Sequence, residues 1–202
     1  MAVITRLKRY GYSLILRSSI RRMMAFGLGI AIAFVMSGVG SPAAFAQNED
    51  LAFWGQASFP VENFQLYTSA FGYRSSGFHY GLDIAAPQGS YVRNWSEGEV
   101  VEISDHTACG TMAIIQSGPW EHRYCHMNGH VEASGGKRYL VDTDGGVRYE
   151  QGQILATGDR LGRVGMTGRT TGPHLHWMMK YGGEWVDPGA VLQAMYTAQQ
   201  AG

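Results

Sequence analysis

The chain has 202 residues, the size of one ordinary domain with room for an appendage. Lys+Arg and Asp+Glu balance at 16 each, which removes any bulk electrostatic case for nucleic acid. Glycine is rich at 28 residues, charged residues are only 16% and aromatics reach 12%; this points to tight turns between short strands and excludes a helical bundle and a disordered chain.

The first 46 residues carry six basic side chains (Arg6, Lys8, Arg9, Arg17, Arg21, Arg22) and no acidic one, leaving 10 basic against 16 acidic residues beyond them. Arg21-Arg22 precede the apolar run from Met23 to Met36, 14 residues long and short for a bilayer crossing. Gly38, Gly40 and Pro42 then break the helix, and Ala44-Phe45-Ala46 offers the small residues a signal peptidase accepts. Residues 1–46 therefore read as a signal peptide cleaved after Ala46, with no membrane span kept afterwards; an uncleaved anchor is the alternative. An exported protein of the periplasm, cell surface or medium is expected.

Residues 47–70 form a short leading segment. Then come short apolar runs at 99–103, 111–116, 122–127, 162–168 and 174–180. Gly118-Pro119, Gly135-Gly136, Gly145-Gly146, Gly172-Pro173 and Gly182-Gly183 separate them. This is the signature of hairpins in one mainly β, antiparallel domain. The polar stretch 128–152 reads as an extra surface hairpin, RYLV against VRYE, turning at Asp144-Gly145-Gly146. A short helix is expected over Gly189–Gln200, with Pro188 in its first turn and Asp187 as its cap. The chain divides as 71–192 for the main domain and 193–202 for a tail. A monomer is expected.

Two cysteines occur, Cys109 and Cys125. In an exported chain an even number implies a disulfide, here placed beside the hairpin turning at Gly118-Pro119.

Seven histidines hold the chemistry: 79, 106, 122, 126, 130, 174 and 176. On a strand, His174 and His176 project from one face. Two imidazoles and the carboxylate of Asp83, four residues after His79, would complete the three protein ligands a catalytic zinc takes, with a fourth place left for water, but so would other choices among these residues. Spacing alone leaves open which His is ligand and which is base. His106, His122 and His130 read as surface or hydrogen-bonded residues; His122 shares strand parity with His126.

These residues stand in an ordered series: Phe71-Gly72-Tyr73-Arg74, His79-Tyr80-Gly81-Leu82-Asp83, Tyr124-Cys125-His126 and Gly165 to Trp177 with Gly172-Pro173-His174-Leu175-His176 at its end. The series resembles the M23 family of zinc metallopeptidases, the lysostaphin and LytM type, over roughly residues 58–192. The resemblance implies a zinc-dependent endopeptidase acting on peptidoglycan peptides. It implies His79, Asp83 and His176 as zinc ligands, and His126 and His174 as imidazoles that handle protons and stabilise the tetrahedral intermediate. Tyr73 matches an aromatic position that could polarise the carbonyl. The long interval from His126 to His174, and Asn94-Trp95 where smaller residues are expected, depart from the family pattern without removing a ligand. The alternative is a silent wall-binding or hydrolase-activating module of the same fold. A D-Ala-D-Ala-type carboxypeptidase of another family is disfavoured by the short His-to-Asp gap.

Overall fold

A computed structural model describes residues 53–201. The expected signal peptide and its cleavage point lie outside the described residues. Among the described residues no helix is long and apolar enough to cross a membrane.

Fifteen strands are found among the described residues, in chain order. They are β1 Leu66–Ser69, β2 Gly72–Arg74, β3 Gly77–His79, β4 Gly81–Ala85, β5 Tyr91–Arg93, β6 Gly98–Thr107, β7 Gly110–Ser117, β8 Trp120–Met127, β9 His130–Ser134, β10 Lys137–Asp142, β11 Val147–Glu150, β12 Ile154–Leu155, β13 Arg160–Arg163, β14 His174–Tyr181 and β15 Glu184–Val186. The main antiparallel sheet runs β1-β4-β14-β8-β7-β6-β12, with β15 also pairing to β14. The mainly β, antiparallel reading of the sequence holds.

The period-2 pattern decides which face is buried. On β14, Leu175, Trp177 and Met179 enter the main core with Leu82 and Ile84 of β4. His174, His176 and Met178 take the opposite face, where Met178 joins Met112, Ile114 and Cys125 in a second apolar cluster. The core itself is aromatic: Trp95 is wholly buried and meets Phe53, Trp54, Trp120, His122 and Trp177 ring to ring. Asn94 is buried beside it and donates Nδ2 to the carbonyls of Leu155 and Ala156, both at 3.0 Å. The pair that departs from the family pattern is thus core.

His122 is buried in the same core within a directed chain of hydrogen bonds. Trp95 N–H donates to Tyr124 Oη at 2.8 Å, and that hydroxyl faces His122 Nδ1 at 2.8 Å. His122 Nε2 meets Ser117 Oγ at 2.8 Å, and Ser117 Oγ donates to the Ser96 carbonyl. Every proton in the chain finds an acceptor with the imidazole neutral. Burial lowers the His122 pKa to about 3.

Two expectations need correction. The stretch 128–152 forms the expected β10–β11 hairpin, with β9 added on the far edge of β10. It is not a surface appendage, because Leu140, Val147 and Tyr149 alternate inward and join the main core. The run 162–168 is strand only at its start, and residues 165–168 are loop. Cys109, immediately before β7, forms a disulfide with Cys125 on β8, beside the β7–β8 hairpin as expected.

The boundaries drawn at 70/71 and 192/193 do not coincide with breaks in packing. β1 pairs with β4 in the main sheet, and the C-terminal helix Pro188–Ala201 runs through 193 and buries Val191, Leu192 and Met195 in the core. The amide of Gly189 is capped by Asp187 Oδ1 at 2.8 Å.

Candidate metal centre

Strand register brings the candidate ligands together. β4 and β14 pair so that Asp83 lies directly across from His176, and His176 in turn lies across from Cys125 on β8. Gly81, two residues before Asp83, has no room for a side chain: a Cβ there would sit 2.7 Å from His176 Cε1 and from the Trp177 carbonyl oxygen. That glycine lets the two strands close around the site. His79 ends β3 and reaches the same spot from the side.

The three atoms His79 Nε2, Asp83 Oδ1 and His176 Nδ1 converge. Nε2 of His79 lies 3.1 Å from Asp83 Oδ1 and 3.0 Å from His176 Nδ1, and His176 Nδ1 lies 2.7 Å from Asp83 Oδ1. They form a group able to hold a metal ion, its ligand atoms all within 4.8 Å of one another. Tautomers follow from the neighbours. His79 Nδ1 faces the Ala70 carbonyl at 2.8 Å, and a carbonyl only accepts, so Nδ1 carries the proton and Nε2 presents a lone pair. That lone pair points at a carboxylate oxygen. A cation among these atoms would be favoured by the carboxylate and the lone pair of His79 together. Two imidazoles and a carboxylate are a donor set suited to zinc, and zinc bonds of about 2.0–2.1 Å set ligand atoms at this kind of separation. The residues fit the metal.

The carboxylate is kept ionised. Burial pushes Asp83 up, but the hydrogen bond and charge of His176, with the charges of His79 and His174, outweigh it and the pKa is lowered. Arg74 holds the other side: its Nη1 lies 3.7 Å from Asp83 Oδ2 and donates to Ser69 Oγ at 2.8 Å. Sequence alone gives Arg74 no such task.

His174 and His126 flank the triad. His174 Nε2 is 3.6 Å from Asp83 Oδ1, and its Nδ1 donates to the Gly172 carbonyl at 2.9 Å. His126 Nδ1 donates to the Thr167 carbonyl at 2.9 Å. Each ring therefore keeps Nε2 as its basic nitrogen. The rings of His126 and His174 are 5.0 Å apart, and His126 and His176 6.0 Å. Burial lowers the His126 pKa; the hydrogen bond to Thr167 works against this, and the other two imidazoles reinforce it.

Thr167 lies in the Gly165–Trp177 motif, where sequence alone gives it no task. Its Oγ1 accepts from Thr111 N–H and donates to the Met127 carbonyl, which fixes the backbone carbonyl that orients His126. Main-chain roles of this sort leave no mark on residue type. Tyr73 stands apart: its ring packs edge-on to Phe78 and is 90% exposed on the β2–β3 hairpin. His106 and His130 are exposed, each beside an acidic side chain.

A family model described as peptidase family M23 matches residues 77–188. The chain is 31% identical over 131 residues to the DD-carboxypeptidase/endopeptidase Mpg of Neisseria meningitidis serogroup B, covering 61% of this chain and 26% of that protein. It is 35% identical over 100 residues to the peptidoglycan DD-endopeptidase ShyA of Vibrio cholerae, covering 49% of this chain and 19% of that protein. The chain thus spans about a quarter or less of the length of these relatives. Among solved structures, a zinc-containing peptidase from Vibrio cholerae superposes with a TM-score of 0.51 at 27% identity, over 66% of this chain and 38% of that one.

Proposed function

Because the chain belongs to peptidase family M23, we propose that it is a zinc-dependent endopeptidase that hydrolyses peptide bonds of bacterial cell-wall peptidoglycan. The observation that carries this reading is the convergence of His79 Nε2, Asp83 Oδ1 and His176 Nδ1 with the imidazoles of His126 and His174 beside them. The substrate is supported by the relatives named as peptidoglycan DD-endopeptidases.

His79, Asp83 and His176 would hold the ion. A zinc ion bound there supplies Lewis-acid polarisation of a carbonyl and a water whose pKa is brought to about 7. The protein's own groups do the rest. The neutral His126 and His174 each offer Nε2 to take a proton from the attacking water and to return one to the leaving amine. The carbonyls of Thr167 and Gly172 hold these rings in the required tautomer. Asp83 cuts the net charge of the loaded site and orients through Arg74. Tyr73, exposed on the β2–β3 hairpin away from the triad, would act only by contacting bound substrate there.

The retention of all three ligands and both flanking imidazoles favours catalysis over a silent activating module. Export through residues 1–46 agrees with the Cys109–Cys125 disulfide, a bond that persists in oxidising compartments. The mature chain would begin at Gln47 and act as a monomer in the periplasm or cell wall.

The test is digestion of purified sacculi by residues 47–202, with and without a chelator, read by mass spectrometry of the fragments. Loss of cross-linked fragments that chelator stops and zinc restores is expected. The same spectra report loss of a terminal D-alanine, the carboxypeptidase reaction named in the relative Mpg. Intact cross-links with zinc-loaded protein would contradict the reading.

A further inference from the structure

Strand parity alone would send His126 into the core. On β8, Trp120, His122 and Tyr124 turn inward, and Cys125 faces the second cluster on the site side. His126 has the parity of His122 and Tyr124, yet its ring lies against His174 and His176. The cause is a β-bulge. Thr111 pairs with Met127 and Ala113 with Tyr124, so β8 carries one extra residue over this interval. His126 takes φ +64°, the left-handed region that side chains other than glycine rarely occupy. Met127 then turns into the core. Bulges re-aim side chains in this way, and an unfavourable backbone angle persists only where its surroundings hold it.

Cys109 holds both residues of the bulge. Its sulfur is bonded to Cys125, with Cα atoms 4.8 Å apart, and its carbonyl accepts from His126 N–H at 2.7 Å. The turn that bears Cys109 is itself locked to the 165–169 loop. Arg169 N–H donates to the Ala108 carbonyl at 2.9 Å, and Gly168 approaches Gly110 so closely that a Cβ would sit 2.3 Å from the Gly110 nitrogen. The same loop supplies the Thr167 carbonyl for the ring and Gly165 N–H for the His126 carbonyl. A disulfide elsewhere on this sheet could restrict the unfolded chain equally well. Only at this position does it bear on the bulge.

We propose that the Cys109–Cys125 bond is a positioning device for the reaction: it holds the bulge that turns His126 out of the core and keeps its imidazole facing His174. This rests on the reading of His126 as a proton-handling group. The bond stays intact through turnover and acts through geometry alone.

The test is a cycle between the cystine and His126 in the zinc-loaded mature protein. Cys109→Val/Cys125→Ala removes the bond and refills the cluster of Met112, Ile114 and Met178; Cys109→Ser/Cys125→Ser removes it without refilling. In the native background either pair should lower kcat at least tenfold. KM and zinc content should stay within about twofold. In the His126→Ala background the same pairs should change kcat by less than about threefold, because the group they position is gone. A crystal structure of the cystine-free protein should show the His126 ring withdrawn from His174. Equal losses of kcat in both backgrounds, an unchanged kcat, or an imidazole still in place would overturn the proposal. So would failure of both cystine-free proteins to fold at the assay temperature, which would mark the bond as a stability element. Full turnover in His126→Ala alone would remove the reading of His126 on which the proposal rests, and is told apart by needing no cysteine change.

Discussion

The imidazoles of His126 and His174 face each other at 5.0 Å, one from a bulge in β8 and one from regular β14. Each donates Nδ1–H to a main-chain carbonyl, Thr167 and Gly172 respectively. Two rings in the same tautomer, meeting edge-on next to the triad, would under the proposed function share one proton-transfer task.

His126→Ala and His174→Ala should each lower turnover by about 10²-fold or more, the usual scale of general acid–base help. The double variant should lose clearly less than the product of the two, since the rings act as a unit. Steady-state rates on purified peptidoglycan check this. Losses that multiply would mean that the two imidazoles work independently.

Gly81→Ala places a Cβ 2.7 Å from both His176 Cε1 and a backbone oxygen of β14, and backbone cannot give way as a flexible side chain can. β4 must move away from β14, and Asp83 with it. The expected cost is about 1–3 kcal/mol of stability, as for other overpacked sites, together with at least tenfold weaker zinc binding. Thermal unfolding and zinc titration measure the two effects. Wild-type zinc affinity in this variant would show that the strand spacing does not set the ligand geometry.

His122 gives the fold a pH dependence of its own. The unfolded chain takes up a proton near the ordinary value of 6.5, whereas the buried ring resists until about 3. Between these values the unfolded state binds more protons, so stability is full above about 6.5 and falls as pH drops toward 3. His122→Gln, which keeps polar contacts to Ser117 and Tyr124, should show a slope shallower by up to about 1.4 kcal/mol per pH unit. Urea unfolding of both proteins with chelator present removes the zinc-linked contribution, and the ligands' own titration cancels between the two. Identical slopes would show that His122 is not the group responsible.

The sequence made the chemistry legible and left the geometry mostly hidden. His79, Asp83 and His176 could be singled out by residue type and order, but that Asp83 pairs across from His176 is a matter of strand register, which one sequence does not reveal. Parity linked His122 to His126, and the bulge broke the link: nothing in Tyr124-Cys125-His126 announces a left-handed backbone at a histidine. Thr167 acts on His126 through its carbonyl, which every residue possesses. The burial of the 128–152 stretch, by contrast, was within reach. Val147 and Tyr149 alternate with Arg148 and Glu150, Leu140 stands in the apolar run 139–141, and the polar composition of the whole obscured that stripe.

The central claim is a division of labour between two histidines that share one face of β14. Zinc content and cleavage rate, measured together on His174→Ala and His176→Ala, test it most directly. His174→Ala should keep about one zinc per chain while its turnover falls about 10²-fold or more; His176→Ala should lose both metal and activity. Loss of zinc from His174→Ala matching that from His176→Ala, or full zinc retained in His176→Ala, would contradict the account.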